Sequence, residues 1–189
     1  MRNIWQILNL FRSIPALWMY YCLPCREEIA EDLRRVGEPS WWGLHKAMLE
    51  SSLFRKIFYY RTHGHAPMLT KISKLLYRPF STMELDADRI GGGMLIYHGY
   101  STIVFAKSIG KNFTVYQQVT VGRGKRINGN DIPTIGSNVT VYAGAILVGG
   151  ITIGDNVTIG AGAVVTKDVP DGATVVGAPV RIIEKMGSI

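Results

Sequence analysis

Through the second half of this 189-residue chain an aliphatic residue returns every six positions, and no other feature narrows the possible folds as much. The blocks begin at Ile90, Ile96, Ile109, Val115, Val121, Ile135, Val141, Leu147, Ile153, Ile159 and Val165. Glycine follows directly at Gly91, Gly110, Gly122, Gly136, Gly154 and Gly160. Four places into most blocks stands a second apolar or small residue: Val119, Val139, Ala145, Ile151, Val157, Ala163 and Val169. A period of six belongs neither to an amphipathic helix nor to a hairpin meander. It fits a chain wound in coils with three short flat faces, each face turning one aliphatic side chain inward onto its counterpart one turn away. Gly136, Asn138, Gly154, Asp155 and Asn156 fall at the corners, where Gly, Asn and Asp accept the backbone angles of a tight turn.

The period is broken twice. Ile96 to Ile109 spans thirteen residues, and Val121 to Ile135 spans fourteen where six would continue the coil. The second break predicts an extruded loop, residues 122–134, rich in Gly, Lys, Arg and Asn, and loops carried on a rigid scaffold are where chemistry concentrates. Each coil buries its aliphatics only against its neighbours, so the ends need caps. The N-terminal segment and the final stretch, residues 169–183, are the candidates.

Residues 1–82 follow a different pattern, that of helices separated by punctuation. Glu27 to Val36 carries Ile29, Leu33 and Val36 on one side and stops at Gly37 and Pro39. Ser40 is placed to cap a helix with Trp41, Leu44, Met48 and Leu49 at helical spacing, and Ser51 or Ser52 to cap a third with Leu53, Ile57 and Tyr60. Leu69 to Tyr77 makes a last helix, with Pro79, Ser81 and Thr82 as the linker. The expected fold is mainly β: a parallel β-helix over residues 83–189, loop and C-terminal cap included, preceded by an N-terminal α-helical domain over residues 1–82.

With 47% hydrophobic residues the chain is too apolar to stay disordered. Its net charge of +7 favours an anionic partner without choosing one. The basic residues are spread, and no nucleic-acid-binding motif is present, so no nucleic acid is expected. The apolar stretch from Ile4 to Leu23 is interrupted by Asn9, Arg12 and Ser13 and contains Pro15, so no spanning helix is predicted. It also lacks the form of a secretory signal, which makes the cytoplasm the expected compartment. Trp5, Leu8, Phe11, Trp18, Tyr20 and Tyr21 can either lie in a membrane interface or, the simpler expectation, pack on the other N-terminal helices. Cys22 and Cys25, spaced as C-L-P-C, lack the βαβ context of a redox pair and are too far from a second ligand pair for a zinc site; two reduced thiols and no metal are expected.

The only histidine after residue 65 is His98, at an outward position of the block I-Y-H-G-Y-S. An imidazole there can accept a proton from an attacking hydroxyl near neutral pH, although a surface histidine is the ordinary reading of such a residue. Its surroundings tip the balance. I-G-G-G-M-L-I-Y-H-G at 90–99, I-G-K-N-F-T-V-Y-Q-Q-V-T-V-G at 109–122, I-G-A-G-A-V-V-T-K-D-V-P at 159–170 and G-A-P-V-R at 177–181 resemble the serine acetyltransferases and their polysaccharide-cluster relatives in the hexapeptide acyltransferase superfamily. The resemblance implies a left-handed coil, acetyl-CoA as cosubstrate, a homotrimer with sites between subunits, and direct acetyl transfer with His98 as base. It places the pantetheine arm along Ala143, Gly160 and Ala161, with Lys167 and Arg181 as candidate partners for CoA phosphates. Gln117 and Gln118 are candidates for stabilising the oxyanion.

Where the family has an acid before the base, a second histidine in the loop and an upstream acid, this chain has Tyr97, Ile132 and Met83. Glu84, Asp86 and Asp88 are the acids near enough in sequence to take the orienting role. An aromatic and an aliphatic wall suits a sugar ring better than an amino acid's two charges. The leading expectation is therefore O-acetylation of a surface-polysaccharide sugar, with L-serine in cysteine synthesis as the alternative and a non-catalytic trimeric scaffold as a third reading.

Overall fold

The computed structural model describes residues 2–127, 129–177 and 181–183. They divide into two compact units: residues 1–80 with 92–95, and residues 81–91 with 96–189.

The described residues of the first unit form the helices α1 (Arg2–Leu8), α2 (Ile14–Cys22), α3 (Arg26–Arg34), α4 (Trp41–Glu50), α5 (Ser52–His63) and α6 (Pro67–Leu76), with a 3-10 turn at Leu10–Ser13 joining α1 and α2. Pro15 falls in the first turn of α2, where a missing N–H is harmless, so it opens a helix rather than kinking one. Ser40 caps α4 by accepting from the Gly43 N–H at 3.0 Å, and Ser51, not Ser52, caps α5 by accepting from the Phe54 N–H at 3.0 Å. Met19, Ile29, Leu33, Leu44, Met48, Phe54 and Phe58 form the core. Two polar features lie within it. His45 contacts the Ser13 hydroxyl at 2.7 Å and the Gln6 carbonyl at 2.9 Å, while Arg61 pairs with Asp32 through two hydrogen bonds of 2.9 and 3.1 Å. Cys25 is buried and Cys22 exposed; burial pushes the Cys25 thiol up, away from thiolate chemistry.

The second unit is a parallel β-solenoid whose inward residues form three ladders. Along the first, β1 (Met83–Ile90), β3 (Thr102–Ile109), β5 (Thr120–Gly122), β8 (Ile146–Val148) and β11 (Val164–Val165) bring Val104, Val121, Leu147 and Val165 into register. The second runs through β2 (Leu95–Ile96), β4 (Thr114–Val115), β7 (Thr140–Val141), β10 (Thr158–Ile159) and β12 (Thr174–Val176), stacking Val115, Val141, Ile159 and Val175. In the third, β6 (Thr134–Ile135) and β9 (Thr152–Ile153) continue from the ends of β1 and β3, aligning Ile90, Ile109, Ile135, Ile153 and Val169. Finally β13 (Arg181–Ile183) lies antiparallel on β12.

The thirteen-residue interval from Ile96 to Ile109 is not a loop. The long strand β3 turns a corner without breaking and serves two faces, its first half pairing with β5 and its second with β6, and Val104 is the rung missing from the six-residue count. At the corner leading into the third face's next side, Asn112, Asn138 and Asn156 hold φ near 57° and pass a side-chain hydrogen bond from coil to coil at 2.9 and 3.1 Å. Leu147 is fully buried between Val121 and Val165. Leu147→Ala is expected to cost about 2–5 kcal/mol, because neighbouring coils cannot collapse into the cavity without breaking their own ladders. A urea unfolding curve of the variant checks this, and a change under 1 kcal/mol would contradict the stacking account.

Candidate active site

The corner that joins the second ladder to the first gathers most of the residues that the motifs single out. Six residues separate Val115 from Val121, Val141 from Leu147 and Ile159 from Val165, but eight separate Ile96 from Val104. The first coil therefore bulges at this corner. His98, Gly99 and Ser101 take positive φ of 62°, 60° and 50°, where each corner below has a single such residue, Gln118, Gly144 or Gly162. His98 is exposed on this bulge, and among the described residues its imidazole has no hydrogen-bond partner.

Beneath it the same corner carries Gln117 and Gln118, then Ala143, then Gly160 and Ala161. The turn is tied from coil to coil by Gln118 N–H donating to the Tyr100 carbonyl at 2.8 Å, Gly144 N–H to Gln117 at 3.1 Å and Gly162 N–H to Ala143 at 2.9 Å. The small residues thus lie in a line running away from His98. The side-chain oxygen of Gln117 is buried and has no hydrogen-bond partner among the described residues.

Tyr97 stacks on Tyr116 at 4.7 Å between ring centroids, and Tyr116 on Tyr142 at 5.0 Å. The motifs single out only the first of these rings. The signal for the other two was present: each stands directly after an aliphatic rung, where glycine stands in other coils.

Other candidates lie elsewhere. The loop springs from the next edge of the solenoid, between Val121 and Ile135, so one flat face separates Ile132 and Lys167 from the edge that holds His98. Its described residues include an antiparallel bridge between Ile127 and Asn130, an Arg123–Asp131 ion pair of 2.6 Å at the base and Arg123 over the Phe105 ring at 5.3 Å. Ile132 is half-buried, its carbonyl accepting from the Asn130 side chain at 2.6 Å. Gly150 on the coil below must be glycine, because a Cβ there would strike the Asn130 carbonyl. The backbone of Arg181 lies in β13, and its side chain falls outside the described residues. Glu84, Asp86 and Asp88 project outward from β1, and none of them pairs with His98 among the described residues. Met83, at the family's upstream acid position, is buried and supplies no charge. Nor do the described residues contain a group of three or more His, Cys, Asp or Glu side chains arranged to hold a metal.

A solenoid with small residues lined up at one corner beneath an exposed imidazole defines a class, and comparison with known proteins agrees. Residues 132–167 match the family model for bacterial transferase hexapeptide (six repeats). Serine acetyltransferase from Helicobacter pylori (strain J99) is 31% identical over 97% of this chain and 88% of its own length. That from Staphylococcus epidermidis (strain RP62A) is 35% identical over 77% of this chain and 67% of its own. The structure of soybean serine acetyltransferase complexed with serine superposes with a TM-score of 0.62 at 26% identity, covering 94% of this chain and 74% of that one.

The solenoid is thus the left-handed β-helix of hexapeptide-repeat transferases. Within that class the chain belongs to the serine acetyltransferase family, and it is an acyltransferase that transfers acetyl groups.

Proposed function

We propose that this protein transfers the acetyl group of acetyl-CoA to the hydroxyl of L-serine, with His98 as general base. The observation that carries the reading is kinship with a serine acetyltransferase over nearly the whole of both chains. In the proposed step His98 takes the proton of the serine hydroxyl as its oxygen attacks the thioester carbonyl. The tetrahedral adduct then collapses, re-forming the carbonyl as the C–S bond breaks and the CoA thiolate leaves, and the imidazolium returns its proton to that sulfur. Holding the two reactants together supplies much of the acceleration.

The line of Ala143, Gly160 and Ala161 leaves room for an extended pantetheine arm against the backbone. The unpaired Gln117 oxygen suits a donor on a ligand, either an amide N–H of that arm or the serine ammonium, better than it suits a developing oxyanion. His98 and the Ile132 loop occupy different edges of one solenoid, so a site that uses both draws them from neighbouring copies. This supports a homotrimer with clefts between subunits, and we assign Lys167 and Arg181 to the CoA phosphates on their charge. The compartment we assign is the cytoplasm. Light scattering of a homotrimer gives about three times 21.0 kDa, and a monomer at micromolar concentration contradicts the shared site.

A second reading, acetylation of a sugar hydroxyl, draws on the tyrosine stack beside His98 and the aliphatic Ile132, surfaces that suit a sugar ring. The relatives reported above are serine acetyltransferases, and serine therefore leads. A competition assay offering L-serine and a nucleotide-linked sugar with acetyl-CoA separates the two. The serine reading requires the higher kcat/KM for L-serine, by about tenfold or more. A preference for the sugar overturns it.

A further inference from the structure

We propose that the helical unit docks on an anionic lipid surface through α1, the 3-10 turn, α2 and α6. Ile7, Phe11, Ile14 and Trp18 recur at intervals of three and four residues across α1, the turn and α2, and all four are exposed, Phe11 at 65%. This is the spacing of one helical face, here turned outward. On α6, Met68 and Leu75 continue the surface, Leu75 exposed at 84%. The helices that carry the two stripes pack together, α6 on α2 and on the 3-10 turn, with the Thr70 hydroxyl against the Met19 sulfur at 3.6 Å and Arg12 bonded to the Leu76 carbonyl. Single exposed apolar residues are ordinary, but exposed stripes at helical spacing on neighbouring helices mark an interaction surface.

Charge selects the occupant. Residues 1–26 and 51–83 contain no Asp or Glu, so no carboxylate stands on α1, the turn, α2 or α6. The acids of the helical unit lie on α3, at the end of α4 and in the segment between those helices. Lys71 and Arg78 flank the apolar stripe and are exposed. Glu50, at the end of α4, is engaged by the Gln6 side chain at 2.7 Å, so two copies of this face brought together would set the charges of Lys71 and Arg78 against each other with no carboxylate of α1, the turn, α2 or α6 to compensate. Phosphate headgroups supply the missing counter-charge, acyl chains accept Phe11, Ile14 and Leu75, and the Trp18 ring suits the boundary between them. No helix among the described residues is long and apolar enough to cross a membrane, so the contact is peripheral.

Vesicle flotation of the full chain tests this directly, with phosphatidylcholine alone and with phosphatidylglycerol added. The full chain is expected to float with the anionic vesicles and to remain largely at the bottom with the neutral ones. Phe11→Asp with Leu75→Asp should reduce the floated fraction about tenfold, and Lys71→Glu with Arg78→Glu should remove the preference for anionic lipid, both with unchanged circular dichroism. The proposal fails if the chain floats with neither composition. It also fails if sedimentation without lipid shows a self-association that Phe11→Asp with Leu75→Asp abolishes, since the face then belongs to a second copy.

Discussion

His98→Ala is expected to lower kcat/KM for acetyl transfer by about a hundredfold or more while leaving the solenoid folded. The side chain lies on a surface bulge, contributes nothing to the three inward ladders and makes no hydrogen bond among the described residues, so its removal has no structural route to a large effect. What it removes is the group that we propose takes the acceptor proton. The strained backbone strengthens the point. His98 sits at φ 62°, in a region that L side chains seldom adopt, within a corner two residues longer than those below it. Steady-state kinetics beside a circular dichroism spectrum provide the check. A folded variant with turnover within threefold of the parent would remove His98 from the chemistry.

The second large effect is on stability and comes from Asp32. Its carboxylate is buried, bonded to Arg61 through both oxygens, and accepts the Met94 N–H at 2.8 Å. Loss of water pushes the Asp32 carboxyl above the usual carboxylate range, against the pull of Arg61 and the backbone donors. The sign matters. A raised native pKa means that the folded state binds this proton more readily than the unfolded chain does, so the residue's contribution falls as pH rises through that window and does not drive acid unfolding. A pair with this desolvation cost adds little net stability, yet removing one partner takes two charge-assisted bonds from the other inside the core. Asp32→Ala is therefore expected to cost about 3–5 kcal/mol, and Asp32→Leu with Arg61→Met to recover much of it. Urea unfolding followed by the helical signal measures both. Equal losses in the single and double variants would show that the charge itself is needed.

Much of the solenoid was legible because its signal is short-range and repeated: one aliphatic residue in six locates Val115, Val121, Ile135, Val141 and their successors as inward rungs. The count failed at Val104 because β3 rounds a corner without the break that resets the register. The helices were legible from their caps and stops, and their ends shifted by a residue or two where several residue types serve equally well, as at Ser51 and Ser52.

The site was read less completely, for a physical reason. His98 stands out as a lone histidine with an outward offset, but which residues share its corner depends on insertions in the coils between them. Tyr116 and Tyr142 escaped notice although they stack beneath Tyr97. The loop's sequence shows that it leaves the coil, but not that it leaves by a different edge from the one carrying His98. The weight given to an amino-acid acceptor comes from the near full-length kinship with a serine acetyltransferase, against the aromatic and aliphatic substitutions that favour a sugar.

The most direct test of the central claim follows the acetyl group itself. Purified protein is incubated with L-serine and acetyl-CoA labelled in its acetyl carbon, free CoA thiol is measured, and the products are resolved by mass spectrometry. The account predicts thiol release matched mole for mole by label in O-acetylserine, with both lost together in His98→Ala. Thiol release with no labelled ester, or no release from the folded protein with L-serine, would contradict it.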